Sequence, residues 1–172
     1  MPILPLSAKG DVAAAVVAFS ALVAACGLTA ASAHEGNNHP STYWFGSPGK
    51  AAAVDRTIRV TVKDLSFIPG SLEVKAGETV RFVVVNASEV DHDFTIGDSK
   101  AQSEHRAEMT EMASMGDIAT MHANHVDPNA VFVKGGETKE IVWRFAKAGK
   151  IEFGCNVPGH YESGMKGVIA IR

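Results

Sequence analysis

Thr79-Val80-Arg81-Phe82-Val83-Val84-Val85-Asn86 carries a β-branched residue at five of eight positions. Such side chains lose rotamer freedom in a helix and pack well on a pleated surface, so the run predicts a central β-strand. Working outward, Ala76-Gly77-Glu78 marks a turn before it and Ser71–Lys75 a short strand before that. Further back, Ile58, Val60 and Val62 alternate with Arg59, Thr61 and Lys63, the period of a half-buried strand. Downstream, Asp91–Ile96, Ala130–Lys134, Thr138–Phe145, Lys150–Cys155 and Lys166–Ile171 read as strands, with turns at Gly135-Gly136 and Gly149. About eight short strands in roughly 115 residues, with one helical stretch, predict an all-β fold: a Greek-key antiparallel β-sandwich spanning 57–172. One segment, 97–130, does not fit. It is long, polar and poor in strand signals, and is read as a partly helical insertion.

The composition allows one domain with some extra sequence. Of 172 residues, 46% are hydrophobic and 20% charged, which supplies a core and excludes wholesale disorder. The formal charge is −3 and no basic run occurs, so nucleic acid is not an expected partner.

Residues 1–33 read as an export signal. Lys9 lies in a weakly basic start, Val12–Ala25 is apolar but shorter than the ~20 residues of a membrane span, and Ala31-Ser32-Ala33 offers a cleavage site. The expected location is the periplasm, with cleavage after Ala33 and no membrane span in the mature chain. A retained anchor is one alternative. A lipoprotein is another, because Val23-Ala24-Ala25-Cys26 resembles a lipobox. Residues 34–56 read as an extended lead-in, tacked to the core by Tyr43-Trp44-Phe45. Cleavage leaves one cysteine, Cys155, and an unpaired thiol in an oxidising compartment calls for a reason.

Its neighbours supply one. Phe153-Gly154-Cys155-Asn156-Val157-Pro158-Gly159-His160-Tyr161-Glu162-Ser163-Gly164-Met165 spaces a thiol, an imidazole and a thioether as C-x4-H-x4-M between two strands. A thiolate, imidazole and thioether form a soft donor set that suits copper. Zinc rarely takes a thioether, and no second cysteine is at hand for a structural zinc site. A trigonal site with a weak axial Met needs another histidine, and His92 in Val90-Asp91-His92-Asp93-Phe94 is the best placed. Taken singly, Cys155 is an ordinary core thiol, the histidines are ordinary satisfied side chains and Met165 is packing. The constellation is what points to copper. Pro158 and the loop glycines stiffen the ligand loop. Backbone N–H groups near Cys155, including that of Asn156, are candidates to tune the sulfur.

These residues resemble the cupredoxins, the type 1 copper proteins. The resemblance covers roughly 57–172 apart from the insertion. It rests on Gly154-Cys155, Pro158-Gly159-His160 and Gly164-Met165-Lys166-Gly167. The ligand spacing is similar to rusticyanin-like members and longer than the C-x2-H-x4-M of plastocyanin, and the whole is similar to periplasmic copper-tolerance cupredoxins. The resemblance implies one copper, with His92, Cys155 and His160 equatorial and Met165 axial. It also implies a bridging side chain after the first histidine. Many members have Asn there, and this chain has Asp93, which brings negative charge near the metal and is expected to lower its potential.

The insertion holds four of the six methionines, Met109, Met112, Met115 and Met121, together with His105, His122 and His125. Two readings stand side by side. On a helix, Met109, Met112 and Met115 share a broad face that packs on the sandwich. Alternatively, the thioethers and imidazoles form an accessory copper(I) site, since residues 100–121 offer no Leu, Val or Phe for packing. His34 and His39, near the expected mature N-terminus, are a further place for copper(II).

Three functions compete. The first is copper tolerance by binding or redox handling; the second, a soluble electron carrier between respiratory partner proteins. The third, a copper enzyme, needs further copper centres that a single domain does not provide, so a monomeric non-enzyme is expected.

Overall fold

The computed structural model describes residues 40–172 other than 117, 124 and 126, and leaves out the side chains of 121 and 123. The expectations placed on 1–33, Cys26, His34, His39 and the side chain of Met121 lie outside the described residues.

Ten strands form in chain order: β1 (Gly46–Pro48), β2 (Arg56–Lys63), β3 (Ser66–Ile68), β4 (Ser71–Val74), β5 (Thr79–Asn86), β6 (His92–Gly97), β7 (Ala130–Val133), β8 (Thr138–Phe145), β9 (Gly149–Gly154) and β10 (Lys166–Ile171). They make two five-stranded sheets, ordered β1-β8-β5-β2-β3 and β4-β10-β9-β6-β7. The TVRFVVVN run lies at the centre of the first sheet, between β8 and β2. The two unforeseen strands, β1 and β3, have three residues each, too few for an alternation to show in sequence. β1 approaches β8 so closely that a Cβ on Gly46 would sit 2.2 Å from Arg144 O.

The expected two-sheet sandwich forms, but the antiparallel expectation needs correction at two pairings: β2 pairs parallel with β5, and β4 parallel with β10. After β3 the chain crosses to the second sheet for β4, then returns for β5. A strand that returns from the opposite layer is free to run in the same sense as its neighbour, which a hairpin forbids.

Between the sheets Phe45, Phe82, Phe94, Trp143, Phe145 and Phe153 are fully buried, each contributing roughly 1.5–3 kcal/mol relative to exposure. The described part of the lead-in packs on the sandwich through its aromatic residues. Phe45 packs 5.7 Å from Trp143 between ring centroids, and Trp44 Nε1 donates to Asp98 Oδ2 at 2.7 Å.

The insertion forms two helices where the sequence suggested one helical stretch: α1 (Ser99–Met115) and α2 (Ile118–Ala123). Asp98 caps α1, its Oδ1 accepting from Ala101 N at 2.9 Å. The buried stripe of α1 is Ala101, Gln102, His105, Met109 and Met112. Met115 is 58% exposed. At about 100° per residue it falls about 120° around the helix from Met109, off the stripe.

Candidate metal centre

The pairing of β6 with β9 brings the predicted ligands together. Thr95 stands opposite Gly154, and this register carries Asp93 beside Asn156, one residue from His92 and one from Cys155. His92 opens β6, and Cys155 follows directly on β9. From Cys155 the chain makes a compact loop back to β10. Cys155 N donates to Met165 O at 3.1 Å, Met165 N to His160 O at 3.0 Å, and His160 N to Val157 O at 3.0 Å. Gly159 sits at φ +85° inside this loop, a conformation that L side chains rarely adopt.

Cys155 Sγ lies 3.8 Å from His92 Nδ1 and 3.3 Å from His160 Nδ1, and the two imidazole centroids are 5.0 Å apart. All three donors fall within 4.8 Å of one another. Metal bonds of about 2.0–2.3 Å from a common centre put donors about 3.5–3.7 Å apart, so one sulfur and two nitrogens fit a transition-metal ion without rebuilding the fold. Met165, fully buried, is joined through its backbone to both His160 and Cys155 at the base of the same loop. Pro158 is exposed on the loop.

Electrostatics keep these donors neutral before metal arrives. Burial pushes the Cys155 thiol up to about 12, and the Asp93 charge adds to the rise; N–H donors from the backbone of Asp93 and Val157 oppose it. His92 is lowered by burial and then by His160, and His160 by burial. Neutral imidazoles are the ligating form, whereas the thiol must give up its proton on metal binding.

Around the donors lies a scaffold of hydrogen bonds. His92 turns Nδ1 toward the sulfur, and its Nε2 lies 3.1 Å from Ser88 Oγ. Ser88 Oγ donates to Asn86 Oδ1 at 2.8 Å, and Asn86 Nδ2 donates to Val90 O at 2.7 Å and Val133 O at 3.0 Å. The Asp93 carboxylate reaches across to the ligand loop. Its Oδ2 accepts from Asn156 N at 3.2 Å, from Asn156 Nδ2 at 3.3 Å and from Thr95 Oγ1 at 2.6 Å.

The sequence reading did not find Asn86, Ser88, Gln102 or Arg106. Helix α1 grips the ligand loop through the last two. Gln102 Oε1 accepts from Asn156 Nδ2 at 2.9 Å, and Gln102 Nε2 donates to Thr95 O at 2.8 Å. Arg106 donates to Asn156 Oδ1 at 3.4 Å and lies 4.0 Å above the Tyr161 ring. Polar side chains on a helical face carry no signal of a partner fifty residues away. Ser88, four residues before His92, is the one that local reading had a chance to find.

The accessory set divides. His105, His122 and His125 gather beside Asp93 and Asp127, with His105 and His122 rings 5.9 Å apart. Met109 and Met112 are buried on the stripe of α1, and Met115 points away into solvent.

Comparison with known proteins gives three results. Residues 54–172 match the family of copper binding proteins described as plastocyanin/azurin. The copper-resistant cuproprotein CopI of Rubrivivax gelatinosus is 40% identical over 161 residues, covering 87% of this chain and 93% of that one. The protein of the same name from Pseudomonas aeruginosa is 40% identical over 149 residues, covering 74% and 82%. Among solved structures, auracyanin B overlays with a TM-score of 0.59 at 23% identity, over 74% of this chain and 96% of its own. Auracyanin A, a "blue" copper protein of Chloroflexus aurantiacus, gives 0.52 at 26% identity, over 67% and 98%.

Proposed function

Because this chain belongs to the plastocyanin/azurin family of copper-binding proteins, we propose that it is an exported mononuclear type 1 copper protein serving copper tolerance. The observation that carries the site is the meeting of Cys155 Sγ with two imidazole Nδ1 atoms at 3.3 and 3.8 Å. His92, Cys155 and His160 would hold the ion, with the buried Met165 thioether as the further donor. Copper supplies one-electron chemistry when bound. The protein's part is to keep the donors in place in either oxidation state, through Ser88, Asn86, Asp93 and the turn-locked loop, so that reorganisation on redox is small.

Copper tolerance is favoured by the two relatives named copper-resistant cuproproteins, matched over most of their lengths. Export rests on residues 1–33, and among the described residues no helix is long and apolar enough to cross a membrane. The reading is of a binding and redox protein rather than an enzyme, in line with the copper-binding family that residues 54–172 match.

A respiratory electron carrier remains the second reading, favoured by one observation. His92 and His160 line a cleft of about 490 Å³ with Leu65 and Val90, which are 46% and 56% exposed, a rim through which electrons would pass to a partner.

Two measurements test this. Copper-loaded protein is expected to show an intense visible thiolate-to-copper band, and Cys155→Ser to abolish it; a variant that stays intensely coloured would overturn the ligand set. Deleting the gene is expected to raise copper sensitivity. Unchanged sensitivity with slowed respiration would replace tolerance by electron transfer.

A further inference from the structure

The insertion and the second sheet bury a cluster of titratable groups that the first copper site does not use. His105 and Glu108 stand three residues apart on α1, His122 on α2, and Asp127 just before β7. His105 Nδ1 lies 3.7 Å from Glu108 Oε2 and 3.6 Å from Asp127 Oδ2. His122 Nε2 lies 3.5 Å from that same oxygen. His125 Nε2 faces the other oxygen of Asp127 at 3.2 Å. The side chains of His105, His122 and Asp127 are only 4%, 6% and 0% exposed. We propose that His105 Nδ1, Glu108 Oε2, Asp127 Oδ2 and His122 Nε2 form a second metal site, for a divalent cation of the copper(II)/zinc class.

Three features support a bound cation over a plain ion-pair network. First, three of the six donor pairs stand 3.5–3.7 Å apart, near the roughly 3.3–3.4 Å of a tetrahedral centre with bonds of about 2.0–2.1 Å, and the donors of His105, Glu108 and Asp127 all lie within 4.8 Å of one another. Second, His122 Nε2 and Asp93 Oδ1 are buried without a hydrogen-bond partner. Burying polar groups unsatisfied is costly, and for the His122 nitrogen a metal bond removes that cost. Third, His105 turns its other nitrogen, Nε2, to Asp93 Oδ2 at 3.3 Å. A carboxylate behind the far nitrogen of an imidazole is the usual orientation device for a metal-binding histidine.

The donor chemistry narrows the ion. Two imidazole nitrogens and two carboxylate oxygens suit a borderline divalent cation. Copper(I) favours sulfur, and magnesium or calcium favours oxygen throughout. A cleft of about 440 Å³ lined by His122, His125, Asp127 and Lys134 gives an entry path from solvent. The site therefore takes two histidines of the insertion, His105 and His122, and none of its thioethers, and pairs them with the acids Glu108 and Asp127.

The test is equilibrium dialysis of the full chain, already loaded with one copper, against copper(II) and in a parallel arm against zinc(II), with magnesium as control. The expected result is a further equivalent of one or both ions and none of magnesium. Copper(II) bound there should give an electron paramagnetic resonance signal of ordinary width and no new intense visible band. His122→Gln and Asp127→Asn should each weaken the added equivalent by more than about tenfold, while the visible band of the first site persists and reports an intact fold. Uptake of copper alone or zinc alone assigns the ion. No added equivalent in the unaltered protein, or its full retention in both variants, would overturn the proposal. Cys155→Ser separates the sites, since it should lose the band and keep the added equivalent of whichever ion binds.

Discussion

The backbone N–H of Asp93 donates to Cys155 Sγ at 3.3 Å, while the Asp93 carboxylate, on the same residue, is wholly buried. The N–H withdraws charge from the sulfur, and the carboxylate brings charge near it. Burial works against ionisation of this carboxyl, and the His105 imidazolium overrides it, holding the group below the usual carboxylate range.

Asp93→Asn should therefore raise the reduction potential of the copper-loaded protein. A negative charge favours the more positive oxidation state, so its removal favours copper(I). A unit charge about 8 Å away in an effective dielectric of about 20 is worth about 2 kcal/mol. His105 screens part of this, so the shift should be tens of millivolts upward. Asn retains an oxygen for Asn156 N, which keeps the loop tied. Potentiometric titration of the visible band decides the matter, and a potential that falls would contradict it.

Ser88→Ala should loosen the first ligand. With Nδ1 of His92 facing the sulfur, the ring is held by Nε2 on Ser88 Oγ, itself held by Asn86. Loss of such an outer partner costs about 10–100-fold in metal affinity. Copper should leave this variant at least about tenfold faster, measured by transfer to a chelator, with folding cooperativity unchanged. A release rate equal to that of the unaltered protein would show that the β6 backbone alone sets the ring.

Much of this was legible from residue order. TVRFVVVN announced a central strand because its whole length is β-branched or aromatic apart from Arg81 and Asn86. Cys155, His160 and Met165 announced a metal loop because they are close in sequence. Strands β1 and β3 were not legible, since three residues give no period, and neither were the parallel pairings, which arise from the crossing between sheets. Gln102 and Arg106 were hidden for another reason: their partners lie on β6 and the ligand loop, and only the docking of α1 brings them there.

Met109 and Met112 are buried on the inner stripe of α1, so replacing both by Leu is expected to leave the copper(I) stoichiometry of the protein unchanged. Volume-conserving exchanges of this kind cost less than about 1.5 kcal/mol, whereas Met109→Ala, at a fully buried site, should cost about 2–5 kcal/mol. Copper(I) counted under a competing chelator, alongside urea midpoints, reads both quantities. Loss of a copper(I) equivalent in the double Leu variant would assign the thioethers a binding role instead.

The final prediction concerns pH and the metal-free protein. Burial opposes protonation of His105, and the charge of Asp93 overcomes it, raising the imidazole to about 10 from its ordinary 6.5. A group whose value rises on folding stabilises fully below its unfolded value and loses that contribution as pH climbs through the folded one. The stability difference between the unaltered protein and His105→Gln should thus be largest near pH 6 and shrink steadily toward pH 9. Total stability will not show this directly. His92, His122 and His160 are lowered, so they withdraw stability as pH falls below 6.5, and Cys155, raised to about 12 from 9.0, withdraws it above pH 9. His92, His160 and Cys155 are common to both proteins and cancel on subtraction, whereas the His105 charge itself helps to lower His122, so the change it causes in His122 counts with His105 in the difference. Urea midpoints at half-unit steps, with chelator present, measure it. A difference that grows with pH would mean that His105 is neutral in the fold and that Asp93 owes its charge to some other partner.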